Sequence, residues 1–135
     1  MTTWFKDMRR PARLISAIMA AGLVLSACAA PQPRPQVVEE SYSVGYLRAT
    51  VNRPISMTQE AVEKGYLALG IAVREERGDQ LTGIVEGQLA DQRSVTTDLR
   101  SIDPNRTGIS IRIGALGDKA LSARILQSIK KNLNR

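Results

Sequence analysis

The stretch that decides the fold is Ile109-Ser-Ile-Arg-Ile-Gly-Ala-Leu-Gly-Asp118. Isoleucine alternates with polar residues in its first half, which is the pattern of a strand with one buried face. The glycines then make a tight turn, and Asp118 is a suitable N-cap for a following helix. Apolar side chains recur every fourth residue beyond it, at Leu121, Ile125, Ile129 and Leu133. The sequence therefore predicts a strand that turns directly into an amphipathic helix.

Four more strands and a second helix are predicted upstream. Alternation at Leu47, Ala49 and Val51 indicates the first strand, which ends before Pro54. Ser56 and Gln59 have the spacing of a capping box. A helix then runs to about residue 69, with glycine 70 as its stop. The inward positions of the three following strands are Ile71 and Val73; Leu81, Gly83, Val85, Gly87 and Leu89; and Val95, Thr97 and Leu99.

The element order is β-α-β-β-β-β-α, which predicts an α+β fold. Because each element has one apolar side, an antiparallel sheet of about five strands with both helices on one face buries them all in a two-layer sandwich. We expect this domain to span residues 42–135. Residues 28–41, with Pro31, Pro33 and Pro35, form a linker that favours polyproline II and reaches some 35–40 Å. A proline-rich partner motif is the alternative.

Residues 1–27 have the parts of a secretory signal: a basic start, an uncharged run from Leu14 to Leu25, and small residues after it. The run is shorter than the roughly 20 apolar residues of a spanning helix, so a retained transmembrane anchor is the less favoured alternative. Arg9 and Arg10 suggest a twin-arginine signal, but Pro11 departs from that pattern. An ordinary basic region is the better interpretation.

Leu25, Ser26, Ala27 and Cys28 resemble the lipobox of bacterial lipoproteins. The resemblance implies that a diacylglyceryl group is attached to the Cys28 sulfur, that signal peptidase II cuts before it, and that the new amine is acylated. Several acyl chains hold a protein stably on a membrane. The sorting rule of this class retains proteins with Asp after the cysteine in the inner membrane. Ala29 therefore implies the outer membrane, on its periplasmic face.

The segment Ile111–Asp118, together with residues 120–122 and Ile125, is similar to the signature of a small family of bacterial lipoproteins catalogued as a domain of unknown function. Gly70 and Leu81-Thr-Gly83 fit the same pattern, and the resemblance covers residues 42–134. Asp91-Gln92 departs from it, since Asp-Gly is expected there, which leaves the turn type open. The resemblance implies an envelope lipoprotein and no known activity.

Composition excludes several kinds of chemistry. The chain has no His and one Cys, which rules out an internal disulfide, His/Cys zinc sites, and Ser-His-Asp or Cys-His catalysis. We expect no metal, no cofactor and no catalytic residue. The net charge of +6 is concentrated partly in the first 13 residues, so it is weak evidence for nucleic acid, and no nucleic-acid partner is expected.

The candidate binding surface is the sheet face that the helices leave uncovered. Alternation places Arg48, Glu86, Asp98, Arg100 and Arg112 there. A solvated face with cross-strand charge pairs is one interpretation. The other is a docking surface anchored by Arg100 and Arg112, since arginine is enriched at interface hot spots.

Two functions follow as expectations. The first is a non-catalytic, lipid-tethered adapter or accessory subunit in an envelope protein complex. The alternative is a ligand-binding module that holds a lipid or cell-wall fragment between sheet and helices, in a cavity lined by Ala49, Gly83, Gly87 and Ala68. An enzyme ranks third, because no catalytic constellation is present.

Overall fold

A computed structural model describes residues 37–135, which form a six-stranded antiparallel sheet and two α-helices. The elements in chain order are β1 (Val37–Ser43), β2 (Tyr46–Val51), α1 (Ile55–Ala68), β3 (Ala72–Gly78), β4 (Thr82–Gln88), β5 (Ser94–Asp103), β6 (Arg106–Ile113) and α2 (Lys119–Leu133). The strands lie side by side in the order β1-β2-β6-β5-β4-β3. The predicted α+β class is confirmed, with one strand more than expected. The predicted signal, its lipobox residues and Cys28 lie outside the described residues.

Strand β1 is the element that the sequence did not predict. It begins at Val37, inside the segment assigned to the linker, and pairs with β2 through Glu40 opposite Ala49 and Tyr42 opposite Leu47. The Lys130 ammonium of α2 also lies 3.1 Å from a Glu40 carboxylate oxygen. Residues 37–40 lack alternation, because two apolar residues precede two acidic ones. Residues 37–41, which the sequence analysis assigns to the linker, therefore belong to the sheet.

Both helices cover the same face of the sheet. Alternate residues of β2, β4, β5 and β6 are buried beneath them, and the largest fully buried side chains include Tyr66, Ile71, Ile111 and Leu126. Gly65 lets the helices approach closely, since a β-carbon there would lie 3.3 Å from Ile129 Cγ1. The core is thus mainly aliphatic, as the scarcity of aromatic residues requires.

The two helices begin in different ways. Asp118 caps α2, because its carboxylate accepts a hydrogen bond from the Leu121 amide at 3.0 Å, as predicted. The capping box predicted for α1 is wrong. Pro54 precedes the first helical residue, and its carbonyl accepts bonds from the amide and the hydroxyl of Thr58, each at 3.0 Å. The helix starts at Ile55, so Ser56 already lies within its first turn.

Candidate functional site

The uncovered sheet face carries the five predicted residues in three cross-strand rows. Arg48 lies opposite Ser110, which lies opposite Asp98. Arg100 belongs to the row on one side, opposite Gly108. The row on the other side contains Tyr46, Arg112, Thr96 and Glu86. The structure thus places all five side chains on one face but separates Glu86 and Arg112 from the other three.

A groove of about 560 Å³ crosses this face where the first two rows meet. Gly108 leaves its floor open, because the nearest atom to a β-carbon at that position would be Ile102 Cδ1, at 3.6 Å. Both charge signs and several hydroxyl groups line the groove. The lining residues are Glu39, Ser41, Arg48, Ala49, Thr50, Asp98, Leu99, Arg100, Gly108, Ile109 and Ser110.

Asp98 is a partly buried acidic residue of the groove. Burial raises the pKa of its carboxyl group above the ordinary value of 3.8. Its carboxylate has no hydrogen bond or ion pair to residues 39–135, and the same is true of the guanidinium groups of Arg48 and Arg100 within that range. Unpaired, partly buried charge is costly to a fold. The groove therefore contains one acidic and two basic groups that form no hydrogen bond or ion pair with residues 39–135.

Arg112 is held in place by its own neighbours. One guanidinium nitrogen donates to the Tyr46 hydroxyl at 2.8 Å, and another donates to the Ala115 carbonyl at 2.8 Å. The guanidinium carbon also lies 5.0 Å from the Tyr46 ring centroid. Arg112 thus ties β6 to the loop that leads into α2, and it has fewer donors left for a partner than Arg100.

Sequence reasoning missed the residues that β1 adds to the groove. Glu39 and Ser41 line it from the edge strand, although the sequence places both in the linker. Val37, Val38 and Tyr42 are residue types that favour strands, and this composition is the signal that could have found β1.

The space that the ligand-binding alternative needs between the two layers is occupied. A β-carbon at Gly87 would lie 2.6 Å from Ile71 Cγ2 and 2.9 Å from Tyr66 Cδ2. One at Gly83 would lie 3.0 Å from Gln59 Oε1. The predicted lining residues do not enclose one cavity, since Ala49 is packed in the hydrophobic core and Ala68 lines a separate depression beside α2. Any ligand therefore has to bind outside the core.

Across residues 37–135, no three His, Cys, Asp or Glu side chains are grouped closely enough to hold a metal ion. Neither helix of this part of the chain has the length and hydropathy needed to cross a membrane.

Comparison with known proteins places the domain in a family. A sequence profile for a family described as "Protein of unknown function (DUF3568)" matches residues 12–132. The chain belongs to this family. No curated protein matches it. The predicted resemblance of residues 42–134 to an uncharacterised family is thereby confirmed, and the DUF3568 match also extends upstream through the apolar run and Cys28. The family description carries no activity, so any function has to be argued from the residues.

Proposed function

We propose that this DUF3568 protein is a non-catalytic lipoprotein of the cell envelope. In this proposal lipid on Cys28 holds it at the outer membrane, and the domain acts on the periplasmic side as an adapter or accessory subunit. Leu25, Ser26 and Ala27 directly precede the single cysteine of the chain and end an uncharged run. Ala29 follows it, where retention in the inner membrane would call for Asp. These features support the anchor.

The observation that carries the adapter role is the uncovered sheet face. Helices cover one face, while the other presents a groove in which the charged groups of Asp98, Arg48 and Arg100 have no hydrogen-bond or ion-pair partner among residues 39–135. Charges in this state favour a partner that supplies the opposite charges, because pairing removes the cost of leaving them unpaired.

The β3 edge of the sheet is a poorer place for a partner than the open face. Edge strand β3 presents the exposed charged run Arg74, Glu75, Glu76 and Arg77. Charged residues on an edge strand discourage pairing with another strand. Docking on the face therefore agrees better with this sequence than addition of a strand at β3.

Photo-crosslinking in cells tests the adapter role. A photoreactive residue at Arg100 in the full-length protein lies in the groove, and one at Leu67, which is 69% exposed on α1, is the matched control on the opposite side. We expect a discrete protein adduct from position 100 and none of the same mass from position 67. Equal labelling at both positions contradicts docking through the groove.

A ligand-binding module is the second candidate, and the size of the groove favours it. Small-molecule sites measure roughly 300–1,000 Å³, a range that includes about 560 Å³. In this form a lipid or cell-wall fragment lies on the open face rather than between the layers. Lipid or glycan adducts at position 100, without a protein adduct, support it.

The anchor has a separate test. We expect the wild-type mature chain to begin at Cys28 and to carry acyl groups detectable by intact mass spectrometry. Cys28→Ser removes the acceptor sulfur, so the acyl groups should be absent from that protein. Ser26→Ala keeps a small residue in the lipobox and should remain lipidated. An unmodified cysteine in the wild-type protein contradicts the anchor.

A further inference from the structure

Two aliphatic side chains at one end of the domain are almost entirely exposed. Val44, in the turn between β1 and β2, is 91% exposed, and Leu116, in the loop between β6 and α2, is 92% exposed. The two loops touch, since a β-carbon on Gly45 would lie 2.8 Å from the Leu116 carbonyl oxygen. Val44 and Leu116 therefore belong to one surface, called the apolar tip below.

Valine at position 44 is unfavourable for the backbone conformation of its turn. Its φ of 51° lies in the left-handed region, and Gly45 follows with a φ of 80°. Consecutive positive φ angles are typical of a type I′ hairpin turn, in which Asn-Gly is the favoured pair. A β-branched residue is strained in this conformation. Because the side chain is also almost wholly exposed, the stability of the domain does not explain a valine here.

Basic and aromatic side chains surround the apolar tip. The guanidinium groups of Arg48 and Arg112 lie 5.7 and 5.0 Å from the Tyr46 ring centroid. On the helix side, the Lys119 ammonium lies 6.0 Å from the ring centroid of Tyr42. Three cations thus lie close to tyrosine rings at the end of the domain that carries the two exposed aliphatic side chains.

Two of the acidic groups at this end share one arginine, and Glu86 lies in the same cross-strand row as Arg112. Arg93 bonds to Asp91 at 2.7 Å and to Asp118 at 3.1 Å, and Asp118 also caps α2. The four cations at this end thus outnumber the three carboxylates by one, which leaves a net charge of +1; the groups are Arg48, Arg93, Arg112 and Lys119, and Asp91, Asp118 and Glu86.

We propose that the apolar tip docks on a phospholipid surface that contains anionic headgroups. Val44 and Leu116 enter the interfacial layer, while Arg48, Arg112 and Lys119 contact the headgroups. Exposed apolar side chains with a basic surround match the chemistry of an interfacial anchor. Two aliphatic side chains cover far less than the roughly 800 Å² that each partner contributes to a stable protein interface. They suffice for a domain that a tether already keeps near the membrane.

The tether has the length this orientation needs, a point that rests on the proposed lipid at Cys28. Nine residue steps separate Cys28 from Val37, which in polyproline II span about 28 Å. Val37 begins β1 and Val44 directly follows its last residue, seven steps and about 23 Å away. The linker can therefore run the length of β1 and leave the apolar tip at the membrane.

Tryptophan fluorescence tests the orientation in the lipidated full-length protein. The single tryptophan, Trp4, lies in the predicted leader, so Leu116→Trp places a lone indole in the mature chain. Leu67→Trp is the matched control, because Leu67 is also exposed but lies on α1, away from the apolar tip. Both proteins are reconstituted in phosphatidylethanolamine vesicles with and without phosphatidylglycerol, and quenching by brominated acyl chains is measured.

We expect at least threefold stronger quenching at position 116 than at position 67, with a blue-shifted emission that depends on phosphatidylglycerol and weakens in high salt. Equal quenching at the two positions overturns the proposal. A blue shift at position 116 without quenching by bromolipid also overturns it, because a second copy of the chain then covers the apolar tip.

Variants that remove the apolar side chains without straining the turn provide a second test of the proposal. Val44→Asn improves the turn and removes an apolar side chain, so in the Leu116→Trp protein it should reduce quenching by bromolipid toward the level of Leu67→Trp. Unchanged quenching contradicts insertion of Val44. If Cys28 proves to carry no lipid, the proposed anchor fails, and docking is measured by sedimentation of the unlipidated chain with the same vesicles. Binding that Val44→Asn with Leu116→Ser reduces at least threefold then supports the apolar tip, and no reduction overturns it.

Discussion

The hydroxyl oxygen of Tyr66 lies 2.7 Å from Oγ1 of Thr97, joining α1 to the centre of β5. The Tyr66 hydroxyl also donates to the Val85 carbonyl of β4 at 3.3 Å. Tyr66 and Thr97 are both fully buried, and burial raises the pKa of the Tyr66 phenol. This polar contact lies inside an otherwise apolar core, so it determines how α1 sits on the sheet.

Tyr66→Phe should lower the free energy of unfolding by about 1–2 kcal/mol, because it leaves the Thr97 hydroxyl without this partner. Thr97→Val should have a similar effect. The double variant should cost less than the sum, since both polar groups are then absent. Urea denaturation of the four proteins gives the coupling, and additive losses would show that the two hydroxyls act independently.

Gly87→Ala should destabilise the domain by about 1–3 kcal/mol, because the added methyl group overlaps Ile71 and Tyr66. Gly108→Ala is the matched control on the open face, where the nearest atom to the new methyl group is 3.6 Å away. Thermal unfolding compares the two. A Gly87→Ala protein as stable as the Gly108→Ala protein would mean that space remains between the layers.

Gln92→Gly should stabilise the domain by about 0.5–1 kcal/mol. Gln92 has a φ of 74°, a conformation that glycine adopts without strain, although glycine loses more entropy on folding. Gln92→Ala retains the strain, so it should bring no gain. Denaturant midpoints measure both changes. The result also bears on the family pattern, because the turn adopts the geometry of Asp-Gly although the sequence is Asp91-Gln92.

Asp98→Asn should raise the melting temperature at pH 7. The folded-state pKa of Asp98 lies above the ordinary 3.8, so its stabilising protonated form is lost as pH rises through the folded-state pKa. Below pH 3.8 the carboxyl group is protonated in both the folded and unfolded states, and the advantage of asparagine should disappear. Melting curves of the two proteins between pH 3 and 7 check this.

Other acidic groups with shifted pKa values do not account for a difference in melting temperature between the wild-type and Asp98→Asn proteins. Neighbouring hydrogen bonds lower the pKa values of Asp79, Asp91, Asp103 and Asp118, but these groups are common to both proteins. Constant stabilisation at every pH would show that the substitution acts through packing instead of charge. Arg100→Gln, which leaves the carboxylate in place, serves as the control for a general change of the groove.

Much of the candidate site was predictable, because a strand repeats every two residues. Alternation around Leu47, Val85, Thr97 and Ile111 assigns each neighbour to the opposite face before any contact is known. The grouping within that face was not predictable. Strand register puts Arg48 in line with Asp98 across Ser110, and this alignment depends on the pairing of β2 with β6, in which Arg48 and Ser110 are 62 positions apart.

Local chemistry explains what the sequence by itself determined. The alternation of Ile109–Ile113, the cap at Asp118 and the apolar stripe of α2 are short-range patterns, and each acts within a few residues of its own position. They were sufficient for the α+β class and for the helical cover of one face.

Tertiary structure decided the rest. Strand β1 exists because β2 offers it backbone hydrogen bonds, although its own side chains do not alternate. The start of α1 follows Pro54 rather than Ser56, and Tyr66 and Ile71 fill the space opposite Gly87. Contact between the loops at Gly45 and Leu116 also joins residues 71 positions apart. Such features depend on which distant segments meet, and no short pattern in one segment encodes that meeting.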